Sequence, residues 1–169
     1  MPGDRPAGRH RPIMVDEVLR CLRPQAGDVA VDCTLGGAGH ALAILERIRP
    51  DGRLIGLDVD PLELLRAEAR VRACGFDAGM FVGRQANFAD LPQVLAAEGL
   101  AAADVILADL GVSNMQAETP SRGFSYKAPG PLDMRMNPGR GEPASQLIMR
   151  LDHAGLTALL VEYLRDTAR

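Results

Sequence analysis

The sequence predicts an α/β fold in which helices cover both faces of a doubly wound parallel sheet. Short apolar runs alternate with helical patterns along most of the chain. Three of those runs close on an aspartate, Asp32, Asp58 and Asp109. The first is followed by the glycine-rich stretch Val31 to His40, VDCTLGGAGH, before a helical pattern begins. Strands joined by helices imply crossover connections and a parallel sheet buried on both sides.

The elements follow in order. Ile13, Met14, Val18, Leu19 and Leu22 recur at helical spacing and predict a helix with one buried face. Asp28 to Asp32 reads as a short buried strand. Gly36, Gly37 and Gly39 then allow a tight turn and close approach of the backbone to a ligand. A helix from about His40 to Ile48 offers unpaired N–H groups and a positive dipole end at its start. Arg53 to Asp58 is the second strand. Pro61 suits the first turn of a helix running to Ala73. Met80 to Val82 predicts a short third strand, Leu91 to Ala97 a helix, and Asp104 to Asp109 a fourth strand.

From Leu110 to Gly141 the pattern changes. Glycine, proline and methionine are frequent and no period is evident. This reads as a long functional loop, because apolar, aromatic and cationic residues are mixed in it. Ala144 to Arg150 and Ala154 to Arg165 predict two further helices. We expect a core over 1–141, including a substrate loop at 110–141, and the start of a helical insertion over 142–169.

At 169 residues, 47% apolar and 24% charged, the chain has the profile of one globular domain. Its formal charge is −3, so the chain as a whole is not a basic nucleic-acid binder. Charge is nevertheless segregated. Between Ser121 and Arg150, five cations (Arg122, Lys127, Arg135, Arg140, Arg150) face two anions (Asp133, Glu142). A locally positive segment lets an acidic protein meet a phosphate backbone. Cys21, Cys33 and Cys74 are widely spaced and show no metal-binding pattern, which favours a reduced, cytoplasmic setting and no metal site. No apolar run approaches the roughly 18 residues of a membrane span, and the first ten residues have no apolar signal core.

The glycine turn points to a nucleotide-like cofactor at the carboxyl end of the sheet. Ala38 stands where a G-x-G-x-x-G pattern needs glycine, and Asp32 would face a pyrophosphate with like charge. S-adenosylmethionine, with its sulfonium and amino groups, fits better than a dinucleotide. Asp58 is placed to take both hydroxyls of a ribose, Asp32 to orient the amino group, and Asp109 to sit between cofactor and substrate. Strand-end acids also cap helices and turns, which is the plainer reading of any one of them. His40 is either surface cover or a cofactor contact. Phe88 is either core or cover for an adenine face. Met134 and Met136 read as packing, and so does Cys33, beside which nothing places a base.

At these residues the chain resembles the ribosomal RNA small-subunit methyltransferase H family (MraW/RsmH type). The matching segments are HRPIMVDEVL at His10, VDCTLGGAGHALAILE at Val31, GRLIGLDVDP at Gly52, ANFADL at Ala86, ILADLGVSNMQ at Ile106 and RGFSYKAPGPLDMRMNPGRG at Arg122. The resemblance implies a Rossmann-like class I methyltransferase fold dependent on S-adenosylmethionine. It implies methylation of the exocyclic N4 of a cytosine in 16S rRNA of the small ribosomal subunit. Carried over by position, the cofactor contacts are Ala38, Gly39, His40, Asp58, Phe88, Asp109 and Gln116, with Asp109 also the catalytic candidate. Arg122, Lys127, Arg135 and Arg140 are the candidates for RNA phosphates. The chain departs from the family at Ala38, where glycine is usual and a positive φ would be strained. Asn114 and Met115 replace Ser and Pro, and Pro129 and Asn137 stand where acids are usual.

The resemblance is to the family's N-terminal portion, ending inside the helical insertion. The sheet is therefore expected to be incomplete, with the apolar strand Val105 to Ala108 lacking a neighbour that a further segment or a second copy would supply. Two other readings stay open: an inactive cofactor- or RNA-binding module of the same family, and a nucleotide-dependent oxidoreductase.

Overall fold

The computed structural model describes residues 12–166, with side chains described to residue 162. His10 and Arg11, which open the first motif, lie outside them. Contacts divide the chain into two compact units, one ending at Ser113 and the other beginning at Asn114.

The first unit carries a four-stranded sheet of β1 (Val29–Asp32), β2 (Arg53–Asp58), β3 (Phe81–Gln85) and β4 (Val105–Leu107). Every neighbouring pair is parallel and the order is β3-β2-β1-β4. Its helices are α1 (Val15–Leu22), α2 (Gly39–Ile48), α3 (Pro61–Ala73) and α4 (Leu91–Ala97). Alternate side chains of each strand face opposite sides. Ala30, Leu54, Phe81 and Val105 join Ile44, Leu45 and Ile48 of α2 and Ala67 and Val71 of α3 in one core. Val31, Ile55 and Leu57 face the other way, against Leu91, Val94 and Leu95 of α4. Each fully buried Leu or Ile of this kind contributes roughly 1.5–3 kcal/mol. The two-sided burial is what the continuous apolar strand runs predict.

The ends of β3 and β4 differ from expectation in ways that bear on the site. β3 extends to Gln85, because Arg84 and Gln85 pair with Leu57 and Asp58 of β2 although neither is apolar. Arg84 is held there by Glu98 just past α4, Nε to Oε1 at 2.7 Å, and the same carboxylate also grips Arg53 of β2. β4 stops at Leu107, so Asp109 lies two residues beyond the strand. Among the described residues β4 is an edge strand, with Ile106 half exposed.

The second unit contains α5 (Asn114–Glu118), a 3-10 turn at Pro120–Arg122, α6 (Ala144–Arg150) and α7 (His153–Asp166). The stretch expected to be loop throughout thus contains a short helix. Between the 3-10 turn and α6 the chain is a clamped loop. Met134 N–H donates to the Arg122 carbonyl at 3.0 Å, and the Arg122 guanidinium donates to the carbonyls of Arg135 and Met136. A Cβ on Gly130 would fall 2.1 Å from the Pro120 carbonyl, so the loop closes only with glycine there.

Candidate cofactor site

The carboxyl ends of β1 and β2 and the segment after β4 meet at the glycine turn. Asp32 and Asp58 are the last residues of their strands. Their register, Asp32 opposite both Gly56 and Leu107, sets β1 between the other two tips. Beyond the strand pairing, the Thr34 hydroxyl ties the end of β1 to the segment after β4. Asp109 N–H donates to Thr34 Oγ1 at 2.7 Å, while Thr34 N–H donates to Asp32 Oδ1 at 3.1 Å.

Asp32 is 1% exposed. Burial pushes its pKa from the ordinary 3.8 up to about 6, against the opposing pull of the Thr34 N–H and of His40. Burial also raises Asp58, opposed by N–H donors from Asp60 and Gly36. Those donors lie 2.9 Å from Oδ1 and Oδ2 respectively, so Asp58 fastens both the glycine turn and the start of α3. Each oxygen keeps a further lone-pair direction, since a carboxylate accepts up to about four hydrogen bonds. Asp60 caps α3 by accepting from Leu62 N–H at 3.0 Å, with Pro61 in the first turn.

The glycines of the turn have separate reasons. Gly36 has φ +44, a left-handed conformation. Gly37 has open space for a Cβ beyond one contact with Arg70 at 3.6 Å. Gly39 is needed for contact within the chain: a Cβ there would lie 2.6 Å from Pro12 Cγ. Ala38 has φ 58 and is fully buried, so the expected strained turn is present.

The segment before α1 lies against this turn. His40 Nε2 is 3.0 Å from the Ile13 carbonyl, which orients the ring. Its Nδ1 then lies 3.9 Å from Asp109 Oδ2. The His40 side chain is 11% exposed and that of Asp109 59%. Phe88 opens a 3-10 turn after β3 and leaves about half its surface exposed. Ala38, Gly39, His40, Asp58 and Asp109 are therefore brought to the ends of three neighbouring strands. Gln116 is buried in α5 of the second unit.

One residue of this region escaped the sequence reading. Glu63 in the first turn of α3 is 3% exposed, hydrogen-bonded to Ser113 through its side chain, and has one oxygen without a partner among the described residues. Burial, then the neighbouring Asp58 and Asp60, raise its pKa. Cys33 is buried between the strand tips and its thiol is pushed up by burial and by Asp32, which makes it inert packing.

The four RNA candidates divide. Asp133 takes Arg135 through both oxygens, at 2.9 and 2.7 Å, and this guanidinium holds the Asp133 pKa down at about 2. Arg122 is turned to the loop's own carbonyls and lies 6.0 Å from the Phe124 ring centroid. Lys127 and Arg140 are exposed, and Tyr126 beside Lys127 is 95% exposed. Among the described residues no group of three or more His, Cys, Asp or Glu side chains is arranged to hold a metal ion, and no helix is long and apolar enough to cross a membrane.

The model of the MraW methylase family matches residues 7–168. The ribosomal RNA small subunit methyltransferase H 2 of Acholeplasma laidlawii is 42% identical over 160 residues, covering 95% of this chain and 45% of that protein. The ribosomal RNA small subunit methyltransferase H of Syntrophotalea carbinolica is 44% identical over 155 residues, covering 92% and 48%. The chain thus spans about half the length of the curated relatives it matches. Among solved structures, TrmN from Thermus thermophilus superposes with a TM-score of 0.51 at 22% identity, over 65% of this chain and 31% of that one, which shows a shared fold. With its glycine turn, its acid-tipped parallel strands and a match along nearly its whole length, the chain belongs to the MraW methylase family.

Proposed function

We propose that this chain binds S-adenosylmethionine at the carboxyl ends of β1, β2 and β4, and serves methylation of the exocyclic N4 of a cytosine in small-subunit rRNA. The observation that carries the reading is the set of acceptors there: a buried Asp32, a bound but unsaturated Asp58 and an exposed Asp109, tied together through Thr34 and Gly36. Such a set suits a ligand rich in hydrogen-bond donors and bearing positive charge. It suits a pyrophosphate poorly, which argues against the oxidoreductase reading.

In this reading Asp58 takes the ribose hydroxyls and Phe88 covers the adenine. Ala38, Gly39 and His40 line the methionine side, and the resemblance adds Gln116 as a further contact. Bound there, the cofactor supplies an electrophilic methyl group. Asp109 accepts hydrogen bonds from the cytosine amine, whose lone pair is otherwise delocalised into the ring. That favours a pyramidal nitrogen. The Thr34 hydroxyl fixes the Asp109 backbone, and His40 approaches its carboxylate. Holding amine and methyl in line supplies much of the remaining rate. The base is reached in single-stranded or flipped form.

Lys127 and Arg140 are proposed to meet RNA phosphates, while Arg122 and Arg135 hold the loop that presents them. The division of the chain into a core over 1–141 and the start of a helical insertion over 142–169 is part of the same proposal, as is a cytoplasmic location. So is a further strand against the open edge of β4, from another segment or from a second copy.

The test is transfer of labelled methyl from S-adenosylmethionine to immature small ribosomal subunits, with Asp109→Ala as control. Transfer that requires Asp109 supports the proposal. Cofactor binding without transfer favours the alternative of an inactive binding module.

A further inference from the structure

We propose that Glu63 is a specificity-determining residue for the cofactor, its unpartnered oxygen accepting a hydrogen bond from a ribose hydroxyl beside Asp58. The inference rests on the proposed S-adenosylmethionine site and adds a residue to it.

A glutamate three residues after the N-cap of a helix ordinarily turns back to the N-cap N–H. Here that N–H, of Asp60, is already donated to Asp58 Oδ1 at 2.9 Å. Glu63 instead bonds Ser113. Topology locates this contact. Glu63 is on the helix leaving β2, Ser113 is in the segment leaving β4, and β1 lies between those strands. The Glu63–Ser113 contact therefore passes over the carboxyl end of β1, where the turn from Asp32 to Gly39 lies.

The carboxyl group is almost fully buried, with Oε1 lacking any hydrogen-bond partner among the described residues. Its acidic neighbours are Asp58 and Asp60, and Arg66 is the cation that acts on it. A buried acceptor left in this way costs free energy that a donor from a ligand recovers. A ligand hydroxyl or amine is a donor of the kind this oxygen can accept from. Asp58 has already given one position on each oxygen to a backbone N–H. A second carboxylate beside it lets the two hydroxyls of a vicinal diol be taken by two residues.

The experiment is calorimetric titration of the full chain with S-adenosylhomocysteine and with its 2′-deoxy and 3′-deoxy ribose analogues. It is run on the unmodified protein, Glu63→Ala and the near-isosteric Glu63→Gln. The unmodified protein is expected to discriminate against at least one deoxy analogue by roughly tenfold. In Glu63→Ala the ribose ligand weakens by a similar factor, and discrimination against that analogue shrinks to under about threefold. The ligand-free melting temperature is expected to hold or rise, since an unpartnered buried group is removed. If Glu63→Ala does not fold, Glu63→Gln carries the comparison. Unchanged discrimination in the variants, or equal weakening of ribose and deoxy ligands, overturns the inference while leaving the cofactor site standing. Absence of binding to the unmodified protein overturns both.

Discussion

Replacing Asp32 with asparagine separates a carboxylate kept for function from one kept for stability. In the folded protein the Asp32 pKa stands at about 6, against 3.8 ordinarily. The shift is about two units, and at ~1.4 kcal/mol per unit the fold favours the protonated form by about 3 kcal/mol. The sign follows from linkage. The folded state holds this proton more tightly than the unfolded chain, so stability is lost as pH rises from about 4 to about 6. Asparagine carries no charge, although its buried amide needs an acceptor and costs about 1–3 kcal/mol at every pH. The stability of Asp32→Asn relative to the unmodified protein should therefore climb by about 2.5 kcal/mol between pH 4 and pH 7. It starts below parity and ends near or above it. Urea unfolding followed by circular dichroism at four pH values measures this difference, in which the groups that do not interact with Asp32 cancel, leaving its coupling to His40 and Asp109. Parallel stability curves for the two proteins would refute the reasoning. A carboxylate that the ligand-free fold disfavours is what a pocket for a cationic ligand requires.

Further outcomes are expected elsewhere. Gly39→Ala should destabilise the protein by about 1–3 kcal/mol through collision with Pro12. Pro12→Ala should recover part of that loss in a double-mutant cycle, and strict additivity in thermal melts would remove the contact from the account. Lys127→Ala should weaken RNA binding uniformly and lower the salt slope by about one, leaving the melting temperature alone. Arg135→Ala should loosen the loop clamped through Asp133, seen as raised hydrogen exchange between Leu132 and Gly141. The opposite pattern would exchange their roles. The open β4 edge should drive self-association, so light scattering that finds a stable, well-folded monomer at low concentration contradicts the proposal of a covering second copy.

Much of the sheet was legible because its strands are short apolar runs closing on an acid. The first three acids of the site follow from that pattern, and the turn follows from its glycines. Polar partners hid the rest. Arg84 and Gln85 read as loop, yet pairing with β2 and the Glu98 ion pair keep them in β3. The helix Asn114–Glu118 spans five residues amid glycine and proline, too short for a period to show. Gly39 read as room for a ligand, whereas the structure gives that space to Pro12, distant in sequence. Arg122 and Arg135 read as free cations; Asp133 stands two residues from Arg135, but only the folded loop shows that this carboxylate and the loop carbonyls take them. Glu63 sits where a glutamate normally caps a helix, and only the three-dimensional path of the segment after β4 shows that it faces Ser113.

The most direct measurement is titration of the folded chain with S-adenosylmethionine in a calorimeter, beside Asp58→Ala. Saturable binding at one site, lost or greatly weakened in Asp58→Ala, is the result the strand-tip pocket predicts. A folded protein that takes up none of this methyl donor, or binds it equally well without the Asp58 carboxylate, contradicts it.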